Sequence, residues 1–262
     1  MNKKVIWITG ASSGIGEATV YEFAKKGYRL VISARRTEEL ERVKNQTGLK
    51  NEDVFILPMD VEQTNKFDEL TQQVIDRFGQ IDLLYNNAGV SQRSFVTETD
   101  LSVYERIIRI DLLSVIALTK AVLPHMIARK SGHIAVTSSV AGKVATPGRS
   151  GYAAAKFGLH GFFDALRAEV HKHNIAVTLI CPGYIRTEIS KNALSSDGSK
   201  YGVMDQNQEK GMPVEKCASK IYQAIEQKKS EVYIGGREIA GVYLKRFFPQ
   251  ILEKIVRNQA PK

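Results

Sequence analysis

KVIWITGASSGIGEATVYEFAKKGY, residues 4–28, passes from an apolar run through a glycine-rich turn into an amphipathic stretch. KVIWIT (4–9) reads as a buried strand and GEATVYEFAKKGY (16–28) as a helix with one apolar face. Gly10, Gly14 and Gly16 lie between them in the spacing GxxxGxG. Strand, glycine turn and helix in that order suit a dinucleotide. Glycines permit a tight turn and close approach of the backbone to a pyrophosphate, which then lies at the positive end of the helix. Ser12, Ser13 and Ile15 belong to the same turn and join the glycines as candidate cofactor contacts.

The next strand, RLVISA (29–34), bears on which nucleotide is bound. An acid at its end would accept hydrogen bonds from the ribose 2′-hydroxyl, whereas an arginine accommodates a 2′-phosphate. This chain continues with Arg35 and Arg36 and has no acid there, which favours NADP(H) over NAD(H). The competing reading has these arginines merely open a solvated helix, RRTEELERVKNQ. A strand at 53–58 then leads to Asp60 and Val61, and a helix follows around 64–78. The strand from Ile81 runs into Asn86, Asn87, Ala88 and Gly89. Asp60 suits the adenine amino group and the asparagine turn suits the adenosine ribose, although each alone is more often a turn residue.

Residues 100–129 read as one long helix, with Ile107, Ile108, Leu112, Val115, Leu118 and Val122 near helical spacing. A strand from His133 to Thr137 feeds Ser139. A helix from Ser150 through His171 is followed by a strand at 175–183, a helix at 213–229 and a short strand, EVYIGG. This alternation argues an α/β fold: one doubly wound parallel sheet in a single domain spanning residues 1–262. Ligands of such sheets bind beyond the carboxyl ends of the strands. Gly10, Asn87, Ser139 and Pro182 all fall at such ends.

One of those ends carries reactive groups. In SVAGKVATPGRSGYAAAK (139–156), Tyr152 and Lys156 are one helical turn apart on one face. A phenol with an ordinary pKa of about 10 is a poor acid or base at neutral pH. A neighbouring cation favours the phenolate. With Ser139 hydrogen-bonding a carbonyl oxygen, the set suits proton transfer at an oxygen whose carbon exchanges a hydride. An isolated Tyr–Lys pair at this spacing would read as a solvated helix face. The glycine turn and the convergence of strand ends are what favour the catalytic reading.

Composition narrows the class. Apolar residues make up 43% of 262, ordinary for a globular chain with a sizeable core. The net charge of +9 suits an anionic cofactor, an anionic surface or nucleic acid, but the basic residues are dispersed and no nucleic-acid motif is present. Two cysteines, Cys181 and Cys217, make neither a disulfide framework nor a metal cluster, and His171 and His173 read as a surface helix end. No metal is therefore expected. The start, with two lysines and a short apolar run, lacks a signal-peptide core, and no run reaches membrane-spanning length, so a cytoplasmic enzyme is expected. Residues 187–212 are polar and glycine-containing and fit a mobile flap over the substrate. Residues 239–262 form a basic amphipathic extension interrupted near Pro249. Its first reading is packing on its own domain or a second subunit; the sharper one is a peripheral membrane contact. Arg93, Arg149 and Lys143 read as surface charges rather than a substrate clamp.

TGASSGIG (9–16), NNAG (86–89), Ser139 with YAAAK (152–156), and PG with Thr187 (182–187) together resemble the short-chain dehydrogenase/reductase family over nearly the whole chain. The resemblance implies a Rossmann domain of about seven parallel strands, an NAD(P)(H)-dependent alcohol–carbonyl interconversion, and dimers or tetramers. It implies that Tyr152 is the general acid/base, that Lys156 tunes it and bonds the nicotinamide ribose, and that Ser139 rather than Ser138 polarises the carbonyl. Pro182, Gly183, Ile185 and Thr187 would lie by the nicotinamide, with Thr187 near its carboxamide, and Arg35 marks NADP preference. One position departs: where the family carries asparagine in the long helix, this chain has Asp111 in IDLLSV. Buried near Lys156, its charge would stabilise the ammonium form. The leading expectation is an NADPH-dependent carbonyl reductase acting on a ketone or aldehyde. Its rivals are a low-turnover NADP(H)-binding sensor or scaffold and a peripheral membrane enzyme on lipid or sterol-like carbonyls.

Overall fold

The computed structural model of the chain describes residues 3–257. Seven strands form one sheet: β1 (Val5–Thr9), β2 (Arg29–Ser33), β3 (Val54–Ile56), β4 (Leu83–Asn86), β5 (Gly132–Thr137), β6 (Ile175–Pro182) and β7 (Glu231–Ile234). Their spatial order is β3-β2-β1-β4-β5-β6-β7 and every pair is parallel. Parallel neighbours need crossovers, which helices supply. These are α1 (Gly14–Lys25), α2 (Thr37–Thr47), α3 (Phe67–Phe78), α4 (Leu101–Ile108), α5 (Ser114–Arg129) and α6 (Ser150–Val170). The short α7 (Gln206–Glu209) precedes α8 (Val214–Glu226), and α9 (Ala240–Phe247) and α10 (Pro249–Arg257) complete the described chain. The doubly wound parallel sheet expected from the alternation is therefore present.

Period-two alternation explains the two-sided core. Val5 and Trp7 face one side with Val31, Leu84 and Ile134, and meet Val74, Leu118, Val122 and Phe163 from the helices there. Ile6 and Ile8 face the other side with Leu30, Ile32 and Tyr85, and meet Val20, Phe23, Leu40 and Ile221. Each fully buried aliphatic or aromatic side chain contributes about 1.5–3 kcal/mol. Trp7 also satisfies its indole N–H, which donates to Ser33 Oγ at 2.8 Å. The helices stop where the sequence provides a residue tolerant of positive φ: Gly48 ends α2 and Gly79 ends α3, both left-handed.

Three of the boundaries that differ from the sequence reading have a clear local cause. The segment 100–129 is not one regular helix: a π turn, Arg109–Leu113, separates α4 from α5 and carries Asp111. The wider turn inserts a residue and re-aims the side chains, which propensity does not signal. The third strand is only Val54–Ile56, although Leu57 and Met59 continue the ladder by donating to the Ile32 and Ala34 carbonyls. The tyrosine helix ends at Val170, and His171–His173 form a short 3-10 turn. The C-terminal extension breaks at Phe248, between α9 and α10; its last residues, 258–262, lie outside the described chain. No helix among the described residues is long and apolar enough to cross a membrane.

Candidate active site

The strand order reverses direction between β1 and β4, and the crevice beyond their carboxyl ends is where the sheet leaves room for a ligand. Gly10 (φ +66) and Gly14 (φ +57) take backbone conformations that other residues resist. A Cβ on Gly16 would overlap the Gly10 carbonyl oxygen and lie 2.6 Å from Asn87 Nδ2. The turn thus keeps its backbone bare. Ser13 caps α1 in extended conformation without spending its side chain on the helix N–H groups. The chemistry of this cradle fits a dinucleotide pyrophosphate, with Ser12 and Ile15 on its flanks.

Asn87 builds that turn as much as it faces a ligand. Its Nδ2 donates to Thr9 O at 3.1 Å, and its Oδ1 accepts from Thr137 Oγ1 at 3.2 Å. The backbone N–H groups of Asn87 and Ala88 both donate to Thr9 Oγ1. Arg35 and Arg36 are exposed at the end of β2, and Arg36 also sits at the N-cap of α2, so one arginine does open the following helix. Asp60 follows β3, where its Oδ1 accepts from the Glu62 N–H at 3.0 Å, the turn role expected of an aspartate there, with Val61 beside it.

The helix places Lys156 beside Tyr152, and Ser139 lies across the same cavity from a separate strand end. Tyr152 and Ser139 line a cavity of about 430 Å³, with Val144, Ile189, Leu244 and Leu252 among its apolar walls. Ser139 caps the 3-10 turn Val140–Gly142: its Oγ accepts from the Ala141 N–H at 3.0 Å and donates to Pro182 O at 3.3 Å. Ser138, its neighbour, points inward; its Oγ donates to Lys156 O at 3.2 Å and lies 3.0 Å from His160 Nε2. Lys156 Nζ is 5.5 Å from the Tyr152 ring centroid and donates to Thr137 O at 3.0 Å.

Asp111 completes this group. Its Oδ2 lies 3.1 Å from Lys156 Nζ, and the two side chains are 0% and 4% exposed. Its Oδ1 accepts from the Val90 N–H at 2.8 Å, and the carboxylate lies against Gly89. Burial pulls the Lys156 pKa down, but the Asp111 carboxylate, then Tyr152, outweigh it and hold the ammonium above the ordinary lysine range. Burial pushes the Asp111 carboxyl up, against the pull of Lys156 and the Val90 N–H.

Several site residues carry no sequence signal. Gln92, fully buried, presents Oε1 to the N–H of Gly151 at 2.7 Å and holds the start of α6. Arg93, read from the sequence as a surface charge, is buried: its Nη2 donates to Asp205 Oδ2 at 2.9 Å, and Arg149 shares that carboxylate at 3.2 Å. Lys143 is tied to Glu231 at 3.0 Å. Gln208 Nε2 donates to Ile185 O and, at 3.3 Å, to Thr187 Oγ1, anchoring the segment 187–212 beside the cavity. Glu238 Oε1 accepts from the N–H groups of Tyr184 and Gly236, each at 2.9 Å, and its side chain fills the space above Gly183. His160, Cys181 and Glu231 bring three potential ligand atoms within 4.8 Å of one another, a grouping the expectation of no metal did not foresee. Lys143 beside the Glu231 carboxylate already supplies a positive charge there.

A family model described as short chain dehydrogenase matches residues 4–198. The chain is 40% identical over 264 residues to a Dehydrogenase/reductase SDR family protein 7-like from Drosophila melanogaster, covering 99% of this chain and 81% of that one. A short-chain dehydrogenase from Streptomyces avermitilis superposes with a TM-score of 0.84 at 28% identity, covering 98% of each chain. An alcohol dehydrogenase from the archaeon Thermococcus sibiricus, complexed with 5-hydroxy-NADP, superposes with a TM-score of 0.77 at 25% identity, covering 90% of this chain and 97% of that one.

Proposed function

The chain belongs to the short-chain dehydrogenase family, oxidoreductases that use nicotinamide cofactors on CH–OH and C=O groups, and within it we propose an NADPH-dependent carbonyl reductase. The observation that carries this reading is that Tyr152 and Ser139 line one cavity beside the bare glycine turn, with Lys156 Nζ 5.5 Å from the Tyr152 ring centroid. The turn, with Gly10, Gly14 and Gly16, would hold the pyrophosphate. Arg35, exposed where an NAD-binding chain places an acid, would meet the 2′-phosphate. A nicotinamide bound there would supply the hydride.

The chain's own groups handle the oxygen. The Ser139 hydroxyl, whose bond to Pro182 O is long, turns to donate to the substrate carbonyl. Tyr152 gives its proton to the same oxygen as negative charge develops there, and the Lys156 ammonium stabilises the phenolate left behind. The apolar part of the wall suits a ketone or aldehyde with a hydrophobic body. The reading includes a cytoplasmic enzyme, its two buried thiols unpaired in a reducing compartment, and a homodimer or homotetramer.

Tyr152→Phe tests the reaction. Across a panel of aldehydes and ketones it should lower turnover by roughly 10²–10⁴-fold while NADPH still binds. Equal turnover in the variant would overturn the assignment, and no turnover by either protein on any substrate would favour the low-turnover sensor.

One observation favours a second reading, the peripheral membrane enzyme. Leu252 and Leu244 of the extension turn toward the cavity, while Phe247 and Phe248 remain 69% and 58% exposed, next in sequence to Arg246. A basic helix pair with an exposed apolar face suits an anionic bilayer. Co-sedimentation with phosphatidylglycerol vesicles that is lost in Phe247→Glu supports this reading; a concentration-dependent dimer with no vesicle binding replaces it with a subunit contact.

A further inference from the structure

Two guanidiniums stand at the start of the helix that carries Tyr152. Arg149 is the N-cap residue of α6, and Arg93 follows Gln92, whose side chain holds the first turn of the same helix. Both arginines line the cavity that Tyr152 and Ser139 border. Their side chains are only 5% and 18% exposed, for Arg93 and Arg149 respectively. A cation taken out of water needs an anion beside it. Here two cations share one. Arg93 Nη2 donates to Asp205 Oδ2 at 2.9 Å, and Arg149 Nη2 donates to the same oxygen at 3.2 Å. The other Asp205 oxygen is occupied as the cap of α7, where it accepts from the N–H groups of Asn207 and Gln208.

The charges do not balance. Two guanidiniums against one carboxylate leave one positive charge over. Among the described residues, the cavity wall includes both arginines but not Asp205. The other charged groups on that wall, Arg237 and Glu238, are one of each sign. Each guanidinium carries five N–H donors. Among the described residues Arg149 spends its side chain on Asp205 alone, and Arg93 adds one bond, from Nη1 to Gln92 O at 3.2 Å. Donors therefore remain for a further acceptor. Burial first, and then the Arg149 charge, push the Arg93 pKa down against the pull of Asp205. A second carboxylate would relieve that crowding.

We propose that Arg93 and Arg149 together bind a carboxylate of the substrate, so that the ketone or aldehyde reduced at Tyr152 is an oxo acid with an apolar body. A single spare charge matches a monoanion, and the planar fork of an arginine matches the two oxygens of a carboxylate. Val144, Leu244 and Leu252 supply the apolar wall for the rest of the molecule. The oxo group in this assignment rests on the proposed reductase; the carboxylate site does not.

The test reads binding, not turnover. Octanoate and its neutral analogue octanamide are titrated calorimetrically into full-length protein with NADPH present. Wild type should bind octanoate roughly tenfold or more tightly than octanamide, and Arg149→Met, which leaves the Arg93–Asp205 pair intact, should lose most of that preference. Octanamide bound as tightly as octanoate by the wild type would overturn the proposal. So would a preference that survives in both Arg149→Met and Arg93→Met, since it would come from the overall positive charge of the chain. If the variants fail to fold, the wild-type protein gives a second reading: modification of Arg149 by phenylglyoxal, followed by peptide mass spectrometry, should be slowed by octanoate and not by octanamide. Equal rates with the two would overturn the assignment. A protein that binds octanoate in this way but reduces no carbonyl would keep the carboxylate site and fail only as a reductase.

Discussion

Gln92 Oε1 accepts the backbone N–H of Gly151 at 2.7 Å and, more weakly, that of Tyr152 at 3.4 Å, so a side chain from the loop after β4 caps the helix that carries the reactive phenol. The first N–H groups of any helix lack intrahelical partners. Here they are buried, and water cannot replace Gln92. The same amide donates to Ser94 Oγ at 3.2 Å, which fixes its orientation.

Gln92→Ala should therefore lose about 1–3 kcal/mol of stability, the cost of an unsatisfied buried N–H. Because the cap also places Tyr152, kcat should fall on the order of tenfold or more with little change in NADPH affinity. Urea denaturation and steady-state kinetics check the two effects separately. A stable variant with normal kcat would show that α6 holds Tyr152 without this cap.

How much of this was legible beforehand depends on the distance over which each feature is decided. The strands were readable because Val5, Trp7, Ile6 and Ile8 each meet the core through local alternation. Tyr152 and Lys156 were readable because a helix places residues four apart on one face. Gln92 meets Gly151 from 59 positions away, and Arg93 meets Asp205 from 112. Nothing local distinguishes them from surface residues. The π turn at Asp111 was invisible for the opposite reason: its residues have ordinary helical character, and the extra residue is absorbed by packing against α6. Asn87 was singled out as a ligand contact, while its bonds to Thr9 and Thr137 give it a structural duty as well.

Arg35 is exposed after β2 and makes the cofactor prediction testable without a substrate. Wild-type protein should bind NADPH at least tenfold more tightly than NADH, because an arginine–phosphate contact is charge-assisted. Arg35→Ala should remove most of that preference and leave NADH affinity nearly unchanged. Titration by nucleotide fluorescence reads both constants. A preference for NADH in the wild type would mean that Arg35 serves only the surface and would return the cofactor assignment to NAD(H).

His133 gives a prediction in pH. It is the second residue of β5, buried, with Nε2 2.8 Å from Thr178 Oγ1. Burial first, and then Lys228 and Lys4, push its pKa down to about 4 from an ordinary 6.5. In the window between these values the unfolded chain binds a proton that the folded chain refuses. Stability is therefore full above about pH 6.5 and falls as the pH drops toward 4, by up to about 3 kcal/mol. His133→Gln, which cannot titrate, should flatten this part of the stability–pH curve measured by urea denaturation. An unchanged slope would place the acid sensitivity on other groups.

The adjacent serines should separate by function. Ser138 and Ser139 leave the same strand end, and successive residues there point to opposite sides. Both serines border the cavity, but the Ser139 Oγ bond to Pro182 O is 3.3 Å and readily exchanged for a substrate oxygen. Ser138 Oγ is committed inward, to Lys156 O and toward His160, and a Cβ on Gly142 would lie 2.7 Å from it. Ser139→Ala removes one donor to the developing oxyanion and should lower kcat by roughly 10²–10³-fold, with about 1 kcal/mol of stability lost for its cap on the Val140–Gly142 turn. Ser138→Ala should separate from it in kcat: about 1–2 kcal/mol of stability lost with its buried hydrogen bonds, and kcat within a fewfold of wild type. Paired thermal denaturation and kinetic measurements on the two variants decide the matter, because a large loss of kcat in Ser138→Ala with full activity in Ser139→Ala would reverse the assignment of the carbonyl-polarising hydroxyl.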